Sequence, residues 1–306
     1  MNFTHLKYAV TVAKYGSISR AAQELFVSQP YMSNTIKKME DELGYQIFDR
    51  TRKGITLTSE GKEFITSACR ILLELDKIEQ ISPSKADKQL RLSVYYSTYI
   101  VNQFFKFRDM SPTKLPDKLR ETGITKVFDS ILRGESTLGI VFYASAKREY
   151  YLHMAAEYNC ICQDLFTPFP LYVIVSKNHK LAAHTSISIK ELNKYPYVIY
   201  DDSASLRYMK FLGINDTSKL LQVSDRGSYF DAVKTAGYIS VSTIADSSVQ
   251  KDCVFIPIND KKLYLNSSYV TARNYQLSKR EHDFLNFLRK NFVSATDNSV
   301  LSKFMN

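Results

Sequence analysis

Residues 17–58 run Ser17-Ile18-Ser19-Arg20-Ala21-Ala22-Gln23-Glu24-Leu25-Phe26-Val27-Ser28-Gln29-Pro30 and on to Arg50-Thr51-Arg52-Lys53-Gly54-Ile55-Thr56-Leu57-Thr58. They read as two short helices, a tight turn and a basic hairpin, the outline of a winged helix-turn-helix. The second helix is expected to open at Ser28, whose hydroxyl can accept a free backbone N–H, with Pro30 in the first turn where a missing donor costs little. Met32, Ile36, Met39 and Leu43 follow at spacings of four, three and four, a single apolar stripe facing a core. Ser33, Asn34 and Lys37 stand opposite it.

A helix about 10–12 Å across fits the major groove, and a face offering a hydroxyl, an amide and an ammonium contacts phosphates and base edges together. Gln29 sits at the leading end, where recognition helices touch bases. Arg50, Arg52 and Lys53 surround Gly54, a cationic tip suited to a phosphate backbone or a minor groove. Each piece alone also reads as an ordinary packed helical hairpin. The order of helix, turn, helix and basic wing favours the nucleic-acid reading.

The run Gly16-Ser17-Ile18-Ser19-Arg20-Ala21-Ala22, then Val27-Ser28-Gln29-Pro30, Ser33, Ile36, Met39-Glu40, Leu43-Gly44, Phe48-Asp49-Arg50 and Leu57-Thr58-Ser59-Glu60-Gly61 resembles the amino-terminal signature of the LysR-type transcriptional regulators. The resemblance implies that Gln29, Pro30 and Ser33 lie against DNA, that Lys37 approaches the backbone, and that Arg50, Arg52 and Lys53 make the wing contacts. Ser28, Tyr31 and Asn34 complete the expected DNA-facing set. Tyr31 and Asn34 stand where such proteins often carry a small residue and an arginine, so base preference does not carry over. Ala9 replaces the usual aromatic of the first helix, whose packing must differ.

A chain of 306 residues with 44% hydrophobic content is long enough for two or three domains with real cores. No run approaches the roughly 18 apolar residues of a membrane helix, and Met1-Asn2-Phe3-Thr4-His5-Leu6-Lys7 has no apolar signal segment, so a cytoplasmic protein without a membrane partner is expected. The net charge is +10, yet residues 1–58 hold eight Lys or Arg against five Asp or Glu, only +3 of it. Charge therefore supports DNA binding modestly and the motif carries it.

Phe64, Ala68, Ile71, Leu75 and Ile78 form a heptad seam on one continuous helix, which is expected to pair with a second copy, although a helix lying on its own core is the alternative. Pairing matters because two recognition helices must reach half-sites about one helical turn or more apart on pseudo-palindromic DNA. Ser82-Pro83-Ser84-Lys85 is the expected hinge. Beyond Gln89 strands and helices alternate. Leu90, Leu92, Val94 and Tyr96 mark a strand, Tyr99 to Asp109 and Thr125 to Gly134 helices, and Thr137 to Tyr143 a buried strand. Pro170 to Ser176 starts a second series through Ile189 to Leu192, Tyr197 to Tyr200, a helix from Tyr229 to Ala236 and a strand from Ile239 to Thr243, before a tail helix from Ser278 to Phe292. Two α/β units with parallel sheets are expected.

This part also resembles the family, whose effector-binding portion is similar to solute-binding proteins in which two lobes clasp a ligand. Leu90-Arg91-Leu92, Ile131-Leu132-Arg133-Gly134-Glu135 leading to Leu138-Gly139-Ile140, Val175-Ser176-Lys177-Asn178-His179-Lys180-Leu181 and Ala236-Gly237-Tyr238-Ile239-Ser240-Val241 carry it. The fold expected is α+β and multi-domain: a winged helix-turn-helix over 1–58, a dimerisation helix and hinge over 59–85, and a two-lobed α/β effector domain of periplasmic-binding-protein type over 86–306. Lobe I is expected at about 86–166 and 267–306, and lobe II at about 167–266. Ligands of open parallel sheets lie beyond the carboxyl ends of strands, which selects Ser97, Thr98, Tyr99, Tyr143, Asp202 and Ser203 as candidate effector contacts. Ser and Thr at strand ends are also ordinary helix caps.

No G-x-G-x-x-G, Walker loop, G-x-S-x-G or H-E-x-x-H occurs, and His5, His153, His179, His184 and His282 lack metal-ligand spacing, so neither catalysis nor a cofactor is expected. Cys69, Cys160, Cys162 and Cys253 read as free thiols. Cys160-Ile161-Cys162 is the one redox suggestion, set aside because the two thiols are expected on opposite faces of a strand. The reading is a homodimeric or homotetrameric DNA-binding regulator controlled by a small-molecule effector, with RNA polymerase as a further partner. The alternative is a ligand-independent regulator whose cleft is plugged by its tyrosines and which responds to a protein partner.

Overall fold

Asn2 accepts the His5 N–H at 3.0 Å through its side chain and opens α1 (Phe3–Tyr15), which ends on Gly16 at φ 59°. In the computed structural model the described residues are 1–51, 54–79, 89–214, 216–235, 237–242, 244, 252–258, 260 and 263–297. They divide into two units, residues up to 79 together with Leu132–Glu135, and the remainder from residue 89 onward.

In the first unit Ser17 caps α2 (Ile18–Glu24) and Ser28 caps α3 (Gln29–Leu43), each through a hydroxyl that accepts a first-turn N–H. β1 (Phe48–Thr51) and β2 (Gly54–Leu57) pair antiparallel, with Phe48 opposite Leu57. α4 (Ser59–Glu79) follows and packs against α1. Leu6, Ala9, Val12, Ala21, Met32, Ile36, Met39 and Ile47 form the shared core. A Cβ on Gly61 would stand 2.0 Å from the Ile47 carbonyl oxygen, so only glycine lets α4 approach the strand connection this closely.

The expected intermolecular seam on α4 is corrected in its first half. Phe64 and Ala68 are buried with Ile65 and Cys69 in the core of their own unit, because α1 covers that end of α4. Ile71 is 41% exposed and Leu75 is half-buried, which leaves a shorter apolar strip for pairing. The Ile78 side chain and the hinge Ser82-Pro83-Ser84-Lys85 lie outside the described residues.

The second unit begins with β3 (Arg91–Tyr95), α5 (Thr98–Met110), β4 (Lys118–Thr122), α6 (Ile124–Leu132) and β5 (Leu138–Ala144). α7 (Arg148–Glu157) and β6 (Cys160–Phe169) precede the crossing to β7 (Tyr172–Ser176), α8 (Ile189–Leu192) and β8 (Tyr197–Tyr200). α9 (Ser203–Phe211), β9 (Leu220–Val223), α10 (Arg226–Thr235), β10 (Ser240–Ser242) and β11 (Cys253–Pro257) lead back through β12 (Leu265–Ala272) to α11 (Lys279–Asp297). Ile189–Leu192 is a single helical turn held by a Ser188/Glu191 capping box.

The sheets are mixed rather than parallel, which corrects the expectation. β3 runs parallel to β4 and β5, but β12 inserts antiparallel between β5 and β6, giving the order β4-β3-β5-β12-β6. In the other lobe β7 is antiparallel to both β10 and β11, while β8 and β9 are parallel. A parallel bridge between Tyr197 and Ile239 joins β8 to the residue before β10. The alternation rule failed where a returning strand, rather than a helical crossover, fills the gap between neighbours.

Cys160 and Cys162 correct a second expectation. A strand's period of two puts both on one face, where they join the cluster around Phe128 and Val270. Two residues on one strand stand about 6.6 Å apart, near the upper limit for a disulfide, and both thiols are free. Burial pushes each thiol up to about 12, so the reactive thiolate is disfavoured.

Candidate functional site

The α3 stripe behaves as its spacing requires: Met32, Ile36 and Met39 are buried and Leu43 packs partly against them. Gln29, Pro30, Asn34, Lys37 and Lys38 are exposed along the other face, and Ser33 lies at its half-buried margin. Tyr31 is 54% exposed and meets the edge of Tyr8 at a centroid distance of 6.2 Å, a pairing that steadies the start of α3. The Ser28 hydroxyl accepts the Tyr31 N–H at 3.3 Å. Arg50 lies in β1. Arg52 and Lys53 fall outside the described residues.

Two contacts hold the hairpin against the helices. Glu40, buried on α3, accepts the Ile47 N–H at 2.8 Å and the Phe48 N–H at 3.1 Å through one carboxylate oxygen. The Gly16 carbonyl accepts the Ile55 N–H at 3.1 Å. Sequence reasoning noticed Glu40 only within a longer motif. Its signal was a carboxylate following Met39 on the apolar side of α3, a position tolerated only when the charge is fully hydrogen-bonded.

In the second unit a partly open cavity of about 100 Å³ lies between the lobes. Seven tyrosines line it, together with Ser97, Thr98, Ser205, Ser240 and apolar side chains. Tyr96 from one lobe stacks on Tyr200 of the other at 3.6 Å and 7°, and Tyr200 stacks on Tyr229 at 4.6 Å and 5°. Tyr143 and Tyr151 stack at 5.0 Å. Beside the triple stack, Arg226 of α10 grips Glu121 of β4 with two donors, its Nε at 3.0 Å. The same Glu121 accepts the Ser97 N–H at 2.8 Å, so a carboxylate of the protein already sits at the amino end of α5.

Of the effector candidates, Ser97, Thr98 and Tyr143 line the cavity. The Ser97 hydroxyl also caps α5 by accepting the Ile100 N–H at 3.4 Å, and the Tyr143 hydroxyl meets Ser268 Oγ at 2.7 Å. Tyr99 does not line it. One residue into a helix its side chain turns the other way, 2% exposed between Phe166 and Phe292. Asp202 stands off the wall, its carboxylate taking the Ser205 N–H and hydroxyl at 2.8 Å each. Ser203 is the first residue of α9, and its side chain lies outside the description.

Burial holds the cavity tyrosines protonated. It is the largest cause of the upward shift at Tyr95, Tyr200, Tyr208, Tyr143 and Tyr151, and it pushes Tyr96 and Tyr229 up to about 12. Their hydroxyls therefore serve as neutral hydrogen-bonding groups. Among the described residues no cluster of His, Cys, Asp and Glu is arranged to hold a metal ion, and no helix is long and apolar enough to cross a membrane.

Residues 3–62 match the family described as bacterial regulatory helix-turn-helix protein, lysR family. That segment is a helix-turn-helix of the LysR type. Curated relatives include the uncharacterized HTH-type transcriptional regulator YvbU of Bacillus subtilis, 28% identical over 210 residues, 66% of this chain and 66% of that protein. Another is the HTH-type transcriptional regulator SsuR of Burkholderia cenocepacia, 28% identical over 214 residues, 66% of this chain and 64% of that protein. The matched part thus spans just under two thirds of the length of each relative. Among solved structures, full-length OxyR from Pseudomonas aeruginosa, in a variant with aspartate in place of one cysteine, has a TM-score of 0.66 at 20% identity and covers 94% of this chain and 98% of its own, a likeness of fold.

In the second unit sequence reasoning missed Tyr151, Tyr200, Tyr208 and Tyr229 on the cavity wall and the Glu121–Arg226 pair, which is not part of that wall. Tyr151, Tyr208, Tyr229 and Arg226 sit on helices and Glu121 on an edge strand, and they converge only when the lobes fold. The one available signal was the abundance of tyrosine, 21 of 306 residues in a chain without tryptophan.

Proposed function

We propose that this chain is a sequence-specific DNA-binding transcription regulator, acting in the cytoplasm as a dimer or tetramer, whose two-lobed unit takes a small-molecule effector. The observation that carries the first half is the division of α3 into a buried stripe and an exposed face of Gln29, Pro30, Asn34 and Lys37 that no neighbouring element covers among the described residues. In this reading Ser28, Gln29, Pro30, Tyr31, Ser33 and Asn34 meet bases and phosphates in the major groove, and Lys37 meets the backbone. Arg50, Arg52 and Lys53 reach a neighbouring phosphate or minor groove. Pairing through the dimerisation segment 59–85, with Ile71 and Leu75 on α4 as the described apolar contacts, brings two such helices to a pseudo-palindromic operator, and RNA polymerase is the downstream partner.

A gel-shift series on the DNA upstream of its own gene tests this. Gln29→Ala should lose discrimination between operator and mutated operator while keeping salt-sensitive nonspecific binding. Full site preference in that variant overturns the role of Gln29, and absence of any preference for duplex over heparin overturns DNA recognition itself.

The second half rests on Ser97, Thr98 and Tyr143 lining one cavity. A ligand acts there by favouring one arrangement of the lobes over another. The stacked Tyr96, Tyr200 and Tyr229 support a second reading, a cleft plugged by its own side chains that leaves regulation to a protein partner. Thermal-shift screening separates the two. A raised melting temperature with one compound carries the effector reading, and silence across a broad metabolite library carries the plugged cleft.

A further inference from the structure

The cavity between the lobes is lined by tyrosine, serine, threonine and apolar side chains, with no Lys, Arg, His, Asp or Glu on its wall among the described residues. Burying a net charge there leaves it without a partner. An anion has a second obstacle. The amino end of α5, the natural seat for a carboxylate or phosphate, is occupied by Glu121, which takes the Ser97 N–H and is held in place by Arg226 from the other lobe. The chain carries its own carboxylate, already neutralised by Arg226, where an acidic ligand would bind.

A cation fares no better, because an aromatic cage needs open ring faces. Tyr200 has both faces covered, by Tyr96 and Tyr229, and Tyr143 and Tyr151 cover each other. The stacking leaves Tyr200 no free face and Tyr143 and Tyr151 no face on the side where they meet. One hydroxyl is conspicuous. The Tyr208 Oη is buried and has no hydrogen-bond partner in the structure, on a side chain that lines the cavity. A buried hydroxyl left unpaired is costly, and a ligand carbonyl or hydroxyl that reached it would satisfy it. The enclosed volume, about 100 Å³, is below the roughly 150 Å³ of an apolar cavity known to hold benzene, so a single substituted ring fills it and extends into the open mouth.

We infer that the ligand of this cavity is an uncharged molecule of single-ring size bearing a hydrogen-bonding group, and that Glu121 is the residue that turns acidic compounds away. The inference rests on the reading of the cavity as the effector site. Benzamide, benzoate and benzamidinium share one planar frame and differ in charge, so titrating each into the full chain by calorimetry isolates the effect. Benzamide should bind at least about tenfold more tightly than either ion. Tyr208→Phe should weaken benzamide several-fold while leaving benzene binding unchanged, and Glu121→Gln should raise benzoate affinity by about tenfold. Circular dichroism of both variants reports whether they fold, and the comparison of three probes on the unaltered chain needs no variant. Benzoate or benzamidinium binding as tightly as benzamide, with Tyr208→Phe affecting it, overturns the charge assignment and leaves the effector cavity standing. No binding of any probe at millimolar concentration overturns both.

Discussion

Glu40 and Gly61 carry more of the winged unit than their size suggests. Each couples a helix to the backbone around Ile47, Glu40 by accepting two buried N–H groups and Gly61 by having no Cβ to strike the Ile47 carbonyl. Glu40→Ala strands both donors and should cost roughly 2–4 kcal/mol, whereas Glu40→Gln keeps an acceptor and should cost less. Gly61→Ala drives a methyl into backbone and should cost about 1–3 kcal/mol. Urea unfolding of the full chain, followed by circular dichroism, checks all three; an Ala variant at position 40 with unchanged midpoint removes the structural role given to that carboxylate. At this scale the sequence disclosed caps well and contacts poorly. Ser28 announces itself by standing just before apolar periodicity, because capping is local, while the acceptor role of Glu40 depends on backbone seven residues further on.

α4 shows how an element serves two masters. Its first half, with Phe64, Ile65, Ala68 and Cys69, is interior to its own unit, and among the described side chains beyond it Ile71 and Leu75 keep exposed apolar surface. Leu75→Glu should therefore yield monomers in sedimentation velocity without loss of helical signal, and Phe64→Ala should instead destabilise the unit by about 3–5 kcal/mol. An unchanged sedimentation coefficient for Leu75→Glu would send dimerisation to another surface. The heptad spacing was legible and its partner was not, since an apolar stripe looks the same whether it meets a neighbour in the chain or in a second copy. β12 was illegible for a related reason. Leu265-Asn266-Ser267-Ser268-Tyr269 carries polar side chains that are buried on both sides between two strands, so no alternation marks it. Tyr99 was misassigned because a strand end followed by a helix indicates where the backbone turns, and the helix then rotates each successive side chain by about 100°, which carries Tyr99 off the cavity side.

For the whole molecule, charge and topology each set a condition. Only +3 of the +10 net charge belongs to residues 1–58, so binding should follow a modest number of phosphate contacts. Arg52→Ala should weaken every duplex about equally and reduce the slope of log affinity against log salt by about 1, measured by fluorescence anisotropy between 50 and 200 mM salt, about the range over which counterion release is clearest. A sequence-dependent loss with an unchanged slope would make Arg52 a base reader instead. Topology bears on how the chain is made. β12 lies between β5 and β6, yet it is synthesised last of the three, after the entire other lobe. At about 5–20 residues per second, the roughly 100 residues from the end of β6 through β12 occupy the ribosome for on the order of 5–20 s. Through that interval β5 and β6 each present a raw edge, the kind of surface on which nascent chains join one another. Strand order thus delays closure of this sheet until the other lobe has been made.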